Sequence, residues 1–341
     1  MAWGGVIRQR TIMKIIMNHK YENLISIENL LLAWKKFIMG KKSKKDAQEF
    51  QLRLMDNILS LHADLRNGAY RHGGYQEFKV YDPKPRTIHK ATVRDRLLHH
   101  AVYRILYPFF QKTFIADSFS CQNYKGIHKA LKRFLAFGRI VSNNNTQTCW
   151  ILKCDIRKFF HSIDQQILLK MLDERISDKR IVGLLQEIII SFNSGRPHCG
   201  LPLGNLTSQL FCNIYTNEFD QFVKHALRIK YYIRYADDFV IFSGSKNCLE
   251  KLILLIAEFL EQKLKLILHP NKIYIKTLSS GMDFLGWVHF FDHRVLRNTT
   301  RRKMFRKLKE NSKSETISSY FGLLKHGNTG KIKERIINLS L

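Results

Sequence analysis

Acidic residues are scarce in this chain: 28 Asp and Glu stand against 57 Lys and Arg in 341 residues, leaving a formal charge of +29. A compact body so charged repels itself unless a polyanion neutralises it, so nucleic acid is the leading partner. Long apolar runs are missing too. None approaches the roughly 20 residues that span a bilayer, and no long basic amphipathic helix with apolar residues left outward suits a membrane surface. The six cysteines (Cys121, Cys149, Cys154, Cys199, Cys212, Cys248) never form CxxC and several sit in apolar runs. They read as reduced, buried thiols of a cytosolic protein, which sets aside a disulfide frame and a zinc site. There is no internal repeat and no low-complexity tract. The opening MAWGGVIRQRTIMKIIMNHK is basic and partly apolar, but Lys14 interrupts it and no small-residue cleavage site follows, so a signal peptide is not expected; Met1, Met13 and Met17 are all candidate starts.

What is present is a 45% hydrophobic chain, enough for a large core. Helical periodicity runs over 21–66 (Leu24, Ile27, Leu30, Leu31, Trp34, then Leu52, Met55, Leu59), split by a basic turn at 40–46. A Gly-rich break at 67–74 leads to a strand near Phe78–Tyr81, and DPKPR at 82–86 must turn, because each proline bars helix at the residue before it. Helices are expected over Val93–Phe110 and from Gly126, with a loop at 143–148. An apolar strand, Trp150–Asp155, precedes a helix from about Asp164 that Ser162 or Asp164 could cap. Then come a helix near 178–192, a Gly/Pro loop at 194–204, a helix over Leu206–Leu227, a Tyr231–Tyr235 and Phe239–Phe242 hairpin, a helix at 247–265, and strands near Tyr274 and across Phe284–Phe291. Residues 301–341 are helical and basic, with eleven Lys and Arg against three acids. This order predicts an α+β fold with a mostly antiparallel sheet backed by helices.

Chemistry concentrates at Tyr235-Ala-Asp-Asp238, two adjacent carboxylates in a tight turn between apolar strands. Alone, Asp-Asp is an ordinary turn sequence, since short acceptors bond nearby amides. Asp155 changes the reading. It ends an apolar strand, where a sheet delivers side chains to a shared edge, although a strand-end Asp also serves as a helix cap. Phosphoryl transfer to a 3′-hydroxyl uses two divalent ions about 4 Å apart, held by carboxylates from neighbouring strands. Asp155, Asp237 and Asp238 supply such a set of hard oxygen ligands.

With both motifs in this order, the chain resembles a reverse transcriptase of the bacterial, group II intron-like lineage over roughly residues 50–310. DIRKFF (155–160) resembles the first carboxylate motif of that family and YADD the second. The resemblance implies a right-hand polymerase: an N-terminal helical extension to the fingers (1–75), fingers (76–150), a palm (151–290, with finger elements 175–205 interleaved) and a small basic helical thumb (291–341) clasping the duplex. It implies two Mg²⁺ ions, Mn²⁺ being an alternative, with Asp155 and Asp237 ligating both and Asp238 auxiliary. Phe160 falls where the family carries an aromatic gate against the ribose 2′-hydroxyl. KPRTIHKATVRDRLLHHAVYRIL (84–106) resembles the segment that grips the triphosphate, through Lys84, Arg86 and Arg94, while Arg96 is expected in a structural ion pair. Lys272 matches a lysine suited to protonating leaving pyrophosphate, and Phe284-Leu285-Gly286-Trp287 resembles the hairpin that holds the primer end.

The 200–220 loop narrows the resemblance. Leu203 replaces the usual glutamine before Gly204, and Gln209 replaces the usual proline after Ser208. GNLTSQ and DSFSCQNYKGIHKAL (117–131) are most similar to the reverse transcriptases of diversity-generating retroelements, which copy a template-repeat RNA with errors at adenines. Leu203, Gly204 and Gln209 would then sit at the base pair of the incoming dNTP. Partners implied are template RNA, the primer–cDNA duplex and a small basic helical accessory protein, in a cytoplasmic setting of bacterial, archaeal or phage origin. Alternatives are a retron, intron-like or phage-defence reverse transcriptase and, in a different class, a non-catalytic RNA-binding maturase or scaffold. HGNTGK (326–331) lacks phosphate-loop spacing, and His289 with His293 fall on strand and turn, not on a metal-binding helix.

Overall fold

The computed structural model describes residues 15–81, 85–310 and 313–340. The chain divides into two compact units, the first from Met1–Ala116, Ile156–Arg228 and Ala257–Ile267, the second from Asp117–Asp155, Ile229–Ile256 and Leu268–Leu341.

The first unit is helical around Val93–Phe110, which packs against the helices Ile27–Phe37 and Leu206–Gln221. Its start follows from sequence. Thr92 Oγ accepts the Asp95 N–H, and the buried Asp95 carboxylate accepts from the Thr92 hydroxyl (2.6 Å), the Tyr70 hydroxyl (2.7 Å) and the Gly73 N–H (3.1 Å). Leu97, Leu98, Ala101, Val102 and Leu106 are fully buried on this helix, each large side chain contributing roughly 1.5–3 kcal/mol by leaving water. The expected strand is the first of an antiparallel hairpin, β1 (Tyr75–Val80) with β2 (Arg86–Ala91); the turn expected at 82–86 lies largely outside the described residues. Helices Gln165–Asp173 and Lys179–Ile190 follow, and Asp164 is the cap of the first, accepting the Ile167 N–H at 2.9 Å. The helix expected to run to Leu227 is α-helical only to Gln221 and ends in a π-helical turn, Phe222–Ala226.

One apolar stripe is corrected. Leu52, Met55 and Leu59 are exposed, and Ile58, Leu61 and Leu65 fill the core instead. The helix breaks at Arg53 (φ −121°, ψ 44°) between Lys45–Leu52 and Leu54–Arg66, so a single helical period does not carry across it. The expectation of uniformly buried thiols also fails at Cys121 and Cys248, exposed in a left-handed loop position and in the first turn of Lys246–Leu264. Cys149, Cys154 and Cys212 are buried, and among the described residues none of the six is in a disulfide.

The second unit holds a four-stranded antiparallel sheet, ordered β4 (Tyr232–Tyr235), β5 (Asp238–Ser243), β3 (Trp150–Asp155), β6 (Tyr274–Thr277). Helix Ile127–Val141 covers one face through a core that includes Phe134, Phe137, Ile151, Ile233, Val240 and Phe242. The strand expected across Phe284–Phe291 turns back on itself. Leu285 (φ 50°) and Gly286 (φ 86°) are both left-handed, as a type I′ turn requires, giving β7 (Met282–Phe284) and β8 (Trp287–His289), with β9 (Arg294–Leu296) beside β8. Helices Asn298–Glu310, Ser314–Leu324 and Gly330–Ser340 close the unit, with Trp287, Leu296, Met304, Leu308, Leu324 and Ile336 packed together. Among the described residues no helix is long and apolar enough to cross a membrane.

Gly327 lies against the buried Trp287 ring, and a Cβ there would collide with Cζ3 and fall 2.8 Å from Cη2. Gly327→Ala is expected to cost about 1–3 kcal/mol through overpacking. Thermal melting and the rate of proteolysis within the last forty residues check this; an unchanged melt would mean that the ring shifts freely.

Candidate active site

Two strand pairings build the site. Tyr235 pairs with Asp238 across the β4–β5 turn, and Asp155 at the end of β3 pairs with Asp238. Side chains directly opposite on an antiparallel pair lie about 4.5–5.5 Å apart at Cβ, so Asp155 and Asp238 face each other, with Asp237 in the turn one residue away. All three carboxylates are half-buried. Like charges opposed in this way destabilise a sheet unless cations intervene.

Two lysines intervene. Lys272 Nζ lies 2.8 Å from Asp155 Oδ1, and its short helix Pro270–Lys272 is tied to the strand by the His269 N–H to the Asp155 carbonyl (2.7 Å). Lys153 Nζ lies 3.4 Å from Asp238 Oδ2. The other Asp238 oxygen, Oδ1, is buried with no hydrogen-bond partner among the described residues. Burial pushes the Asp238 carboxyl up to about 6; Lys153 pulls against the rise, and the charges of Asp237 and Asp155 add to it.

That shift has a sign for stability. In the unfolded chain the group ionises near 3.8, so its contribution to folding is fullest below that and is lost as pH rises through about 6. Without divalent cation, Asp238→Asn should therefore gain melting temperature relative to the unsubstituted protein between about pH 5 and about pH 7. A difference independent of pH would contradict the buried-carboxyl account.

The turn itself is held by a residue sequence reasoning passed over. Ala236 is left-handed (φ 56°), a conformation that costs an alanine on the order of 1 kcal/mol. Arg234, 1% exposed, donates from Nη1 to the Ala236 carbonyl (3.1 Å) and from Nη2 to Ser118 Oγ (3.0 Å). Its backbone donates to the Asp117 carbonyl and accepts from the Phe119 N–H, both at 3.0 Å. Lys153, Asp283 and Tyr274 were likewise not singled out. The available signal for Lys153 was parity: in WILKCD it shares the face of Asp155, two residues on.

The donor chemistry fits a divalent cation: hard carboxylate oxygens, one of them an orphaned buried acceptor, at a sheet edge that already attracts two ammonium groups. Among the described residues no group of three or more His, Cys, Asp or Glu makes a ready cage. Asp155, Asp237 and Asp238 would need substrate phosphates and water to complete the shell.

The other expected site residues fall in two places. In the second unit Phe284 and Trp287 are core residues, so only Leu285 and Gly286 at the hairpin tip are reachable. In the first unit, the Phe160 carbonyl accepts the Leu201 N–H (2.8 Å), the Leu203 carbonyl accepts the His89 N–H (2.9 Å), and Asn205 Nδ2 donates to the His89 carbonyl (2.9 Å). Those bonds join Phe160, the 200–205 loop and β2. Gly204 has φ 107°, and a Cβ there would meet Ile88 Cγ2 at 2.7 Å, so glycine is required. Gln209 is half-buried on the following helix, and Arg86 is exposed at the start of β2. Arg94 pairs with Asp64, and Arg96 makes the expected ion pair, with Asp46 at 2.5 Å. Lys84 lies outside the described residues.

The family described as reverse transcriptase (RNA-dependent DNA polymerase) matches the chain over residues 79–289. Protein YkfC of Escherichia coli is 27% identical over 295 residues, which cover 74% of each chain. The group II intron-encoded protein LtrA of Lactococcus lactis subsp. cremoris is 23% identical over 318 residues, 73% of this chain and 51% of LtrA, so the chain spans about half that relative's length. Telomerase from Candida albicans, solved in complex with a fragment of telomeric RNA, shares the fold at TM-score 0.50 and 12% identity over 67% of this chain and 46% of that one. The fold is thus the right-hand polymerase expected from sequence.

Proposed function

Since this chain belongs to the reverse transcriptase, or RNA-dependent DNA polymerase, family, we propose that it synthesises cDNA on an RNA template by nucleotidyl transfer at Asp155, Asp237 and Asp238. The observation that carries this reading is the register setting Asp155 opposite Asp238 beside the Asp237 turn. Two Mg²⁺ ions, or Mn²⁺, held by Asp155 and Asp237 with Asp238 auxiliary, would when bound polarise the phosphate and stabilise developing charge. The chain's own residues do the rest. Lys272 carries a proton at Nζ for the leaving pyrophosphate, released from Asp155 once that carboxylate takes another partner. Arg86 and Lys84 bind the triphosphate, joined by Arg94 once it exchanges Asp64 for phosphate oxygens, and the Phe160 ring excludes a 2′-hydroxyl. Leu203, Gly204 and Gln209 border the nascent base pair. Leu285 and Gly286 position the primer end. The +29 charge favours an RNA template and a primer–cDNA duplex as partners.

Within the family, GNLTSQ at 204–209 and the 117–131 segment support a diversity-generating retroelement enzyme that miscopies template adenines and works with a basic accessory protein. The likeness to LtrA favours an intron-like enzyme as the second reading. Primer extension on the cognate template RNA, with dNTPs, Mg²⁺ and accessory protein supplied, separates these. Extension with errors concentrated opposite adenines is expected; uniformly sparse errors would remove the retroelement reading and leave the polymerase. No extension at all would leave a non-catalytic RNA-binding scaffold.

A further inference from the structure

Lys153 is the one charged residue inside the apolar run of β3, and its side chain is 9% exposed. A buried ammonium is costly unless paired, and here two carboxylates from different strands share it. Nζ lies 3.4 Å from Asp238 Oδ2 and 3.9 Å from Asp283 Oδ1, and it donates to the Asp283 main-chain carbonyl at 3.0 Å. Tyr274, its partner in register on β6, places its ring 5.9 Å from Nζ. The same Asp283 oxygen, Oδ1, also accepts from the Arg297 guanidinium, and the Arg297 main-chain N–H donates to the Gly286 carbonyl at 3.1 Å. Charges therefore alternate along Asp238, Lys153, Asp283 and Arg297, all within the second unit.

We propose that Lys153 is a built-in counter-cation for the polymerase carboxylates, a positioning residue that holds Asp238 when no divalent ion is bound and yields towards Asp283 when one arrives. The proposal rests on Asp155, Asp237 and Asp238 forming a cation site. An ammonium 3.4 Å from a carboxylate competes for the same oxygens as an incoming cation and repels it. How strongly it competes depends on Asp283, the alternative acceptor. Two variants of one chain should then act in opposite directions. Lys153→Met, similar in length and apolar, removes the competitor and tightens cation binding. Asp283→Asn leaves Asp238 as the only carboxylate for the ammonium and weakens binding. If Asp283 acts on the cation through Lys153, the double variant should bind like Lys153→Met alone, a strongly non-additive cycle, whereas a direct field from the Asp283 carboxylate would make the two effects add.

The test is Mn²⁺ binding to the full-length protein without nucleotide or primer, counted by electron paramagnetic resonance of the free ion, with melting curves for each variant. Expected are about tenfold tighter binding for Lys153→Met, about tenfold weaker for Asp283→Asn, and the tighter value for the pair. Weaker binding in both single variants would assign Lys153 a purely structural role and overturn the proposal. Should Lys153→Met not fold, Asp283→Asn alone decides, and unchanged or tighter binding there overturns it. Absence of Mn²⁺ binding by the unsubstituted protein, or binding unaffected by Asp237→Asn, would instead remove the cation site itself.

Discussion

Replacing Asp237 by asparagine should lower the single-turnover rate of dNTP incorporation on an RNA template by about 10³-fold or more, with Asp155→Asn equally severe. Each substitution is isosteric and exchanges a charged oxygen ligand for a neutral amide. A rate loss of 10³ corresponds to about 4 kcal/mol, the scale at which a carboxylate ligand and its bound cation stabilise transferring phosphate. Asp238 stands apart. Its Oδ2 is already matched by Lys153, and burial holds its carboxyl up near about 6, so Asp238→Asn should cost about 10- to 100-fold. The order of the three effects is as informative as their size. Melting curves must be shown to agree, because a carboxylate opposing another across β3 and β5 also bears on stability. Retention of a tenth of the rate by Asp237→Asn at saturating Mg²⁺ would sink the proposed assignment.

Much of this site is legible in sequence because local rules fix it. Six consecutive residues of one strand, a turn of left-handed Ala236, and four residues of the next place Asp155 and Asp238 in register. Helix boundaries at Val93 and Gln165 follow from Thr92 and Asp164, whose side chains cap within three residues. What sequence hid was set by distance along the chain. Arg234 reads as one polar residue in a strand until its bond to Ser118, 116 residues away, is seen, and Lys153 acquires meaning only from Asp283, 130 residues away. Arg94 shows the same limit, its partner Asp64 lying on a separate preceding helix, whereas the ion pair of Arg96 was legible and only the identity of its partner, Asp46, was not. Leu52, Met55 and Leu59 misled because the period was continued through the break at Arg53. Apolar continuity alone reads Phe284–Phe291 as one strand, and the turn at Leu285 and Gly286 is legible only through the resemblance of Phe284-Leu285-Gly286-Trp287 to a primer-holding hairpin.

Phe160 yields the second large effect, on which sugar is accepted. Phe160→Ala should reduce discrimination between a dNTP and its ribonucleotide by about 10²-fold, almost wholly by raising kcat/KM for the ribonucleotide. The local structure makes this a clean substitution. Phe160 lies in the short helix Phe159–Ser162 after left-handed Lys158 (φ 46°), and its main chain is pinned by the Leu201 N–H at 2.8 Å. The ring is half-buried, so it is held in place yet reachable, and removing it leaves the backbone anchored. Its neighbour supplies the control. Phe159 is 3% exposed and packs edge-on to Phe160 at 5.6 Å. Phe159→Ala should cost about 3–5 kcal/mol of stability as a core truncation and should lower incorporation of both sugars together. Steady-state incorporation of matched dNTP and rNTP on one RNA template distinguishes the two. A sugar preference unchanged in Phe160→Ala, with the dNTP rate intact, would reduce that ring to packing and leave selection against the 2′-hydroxyl to another group.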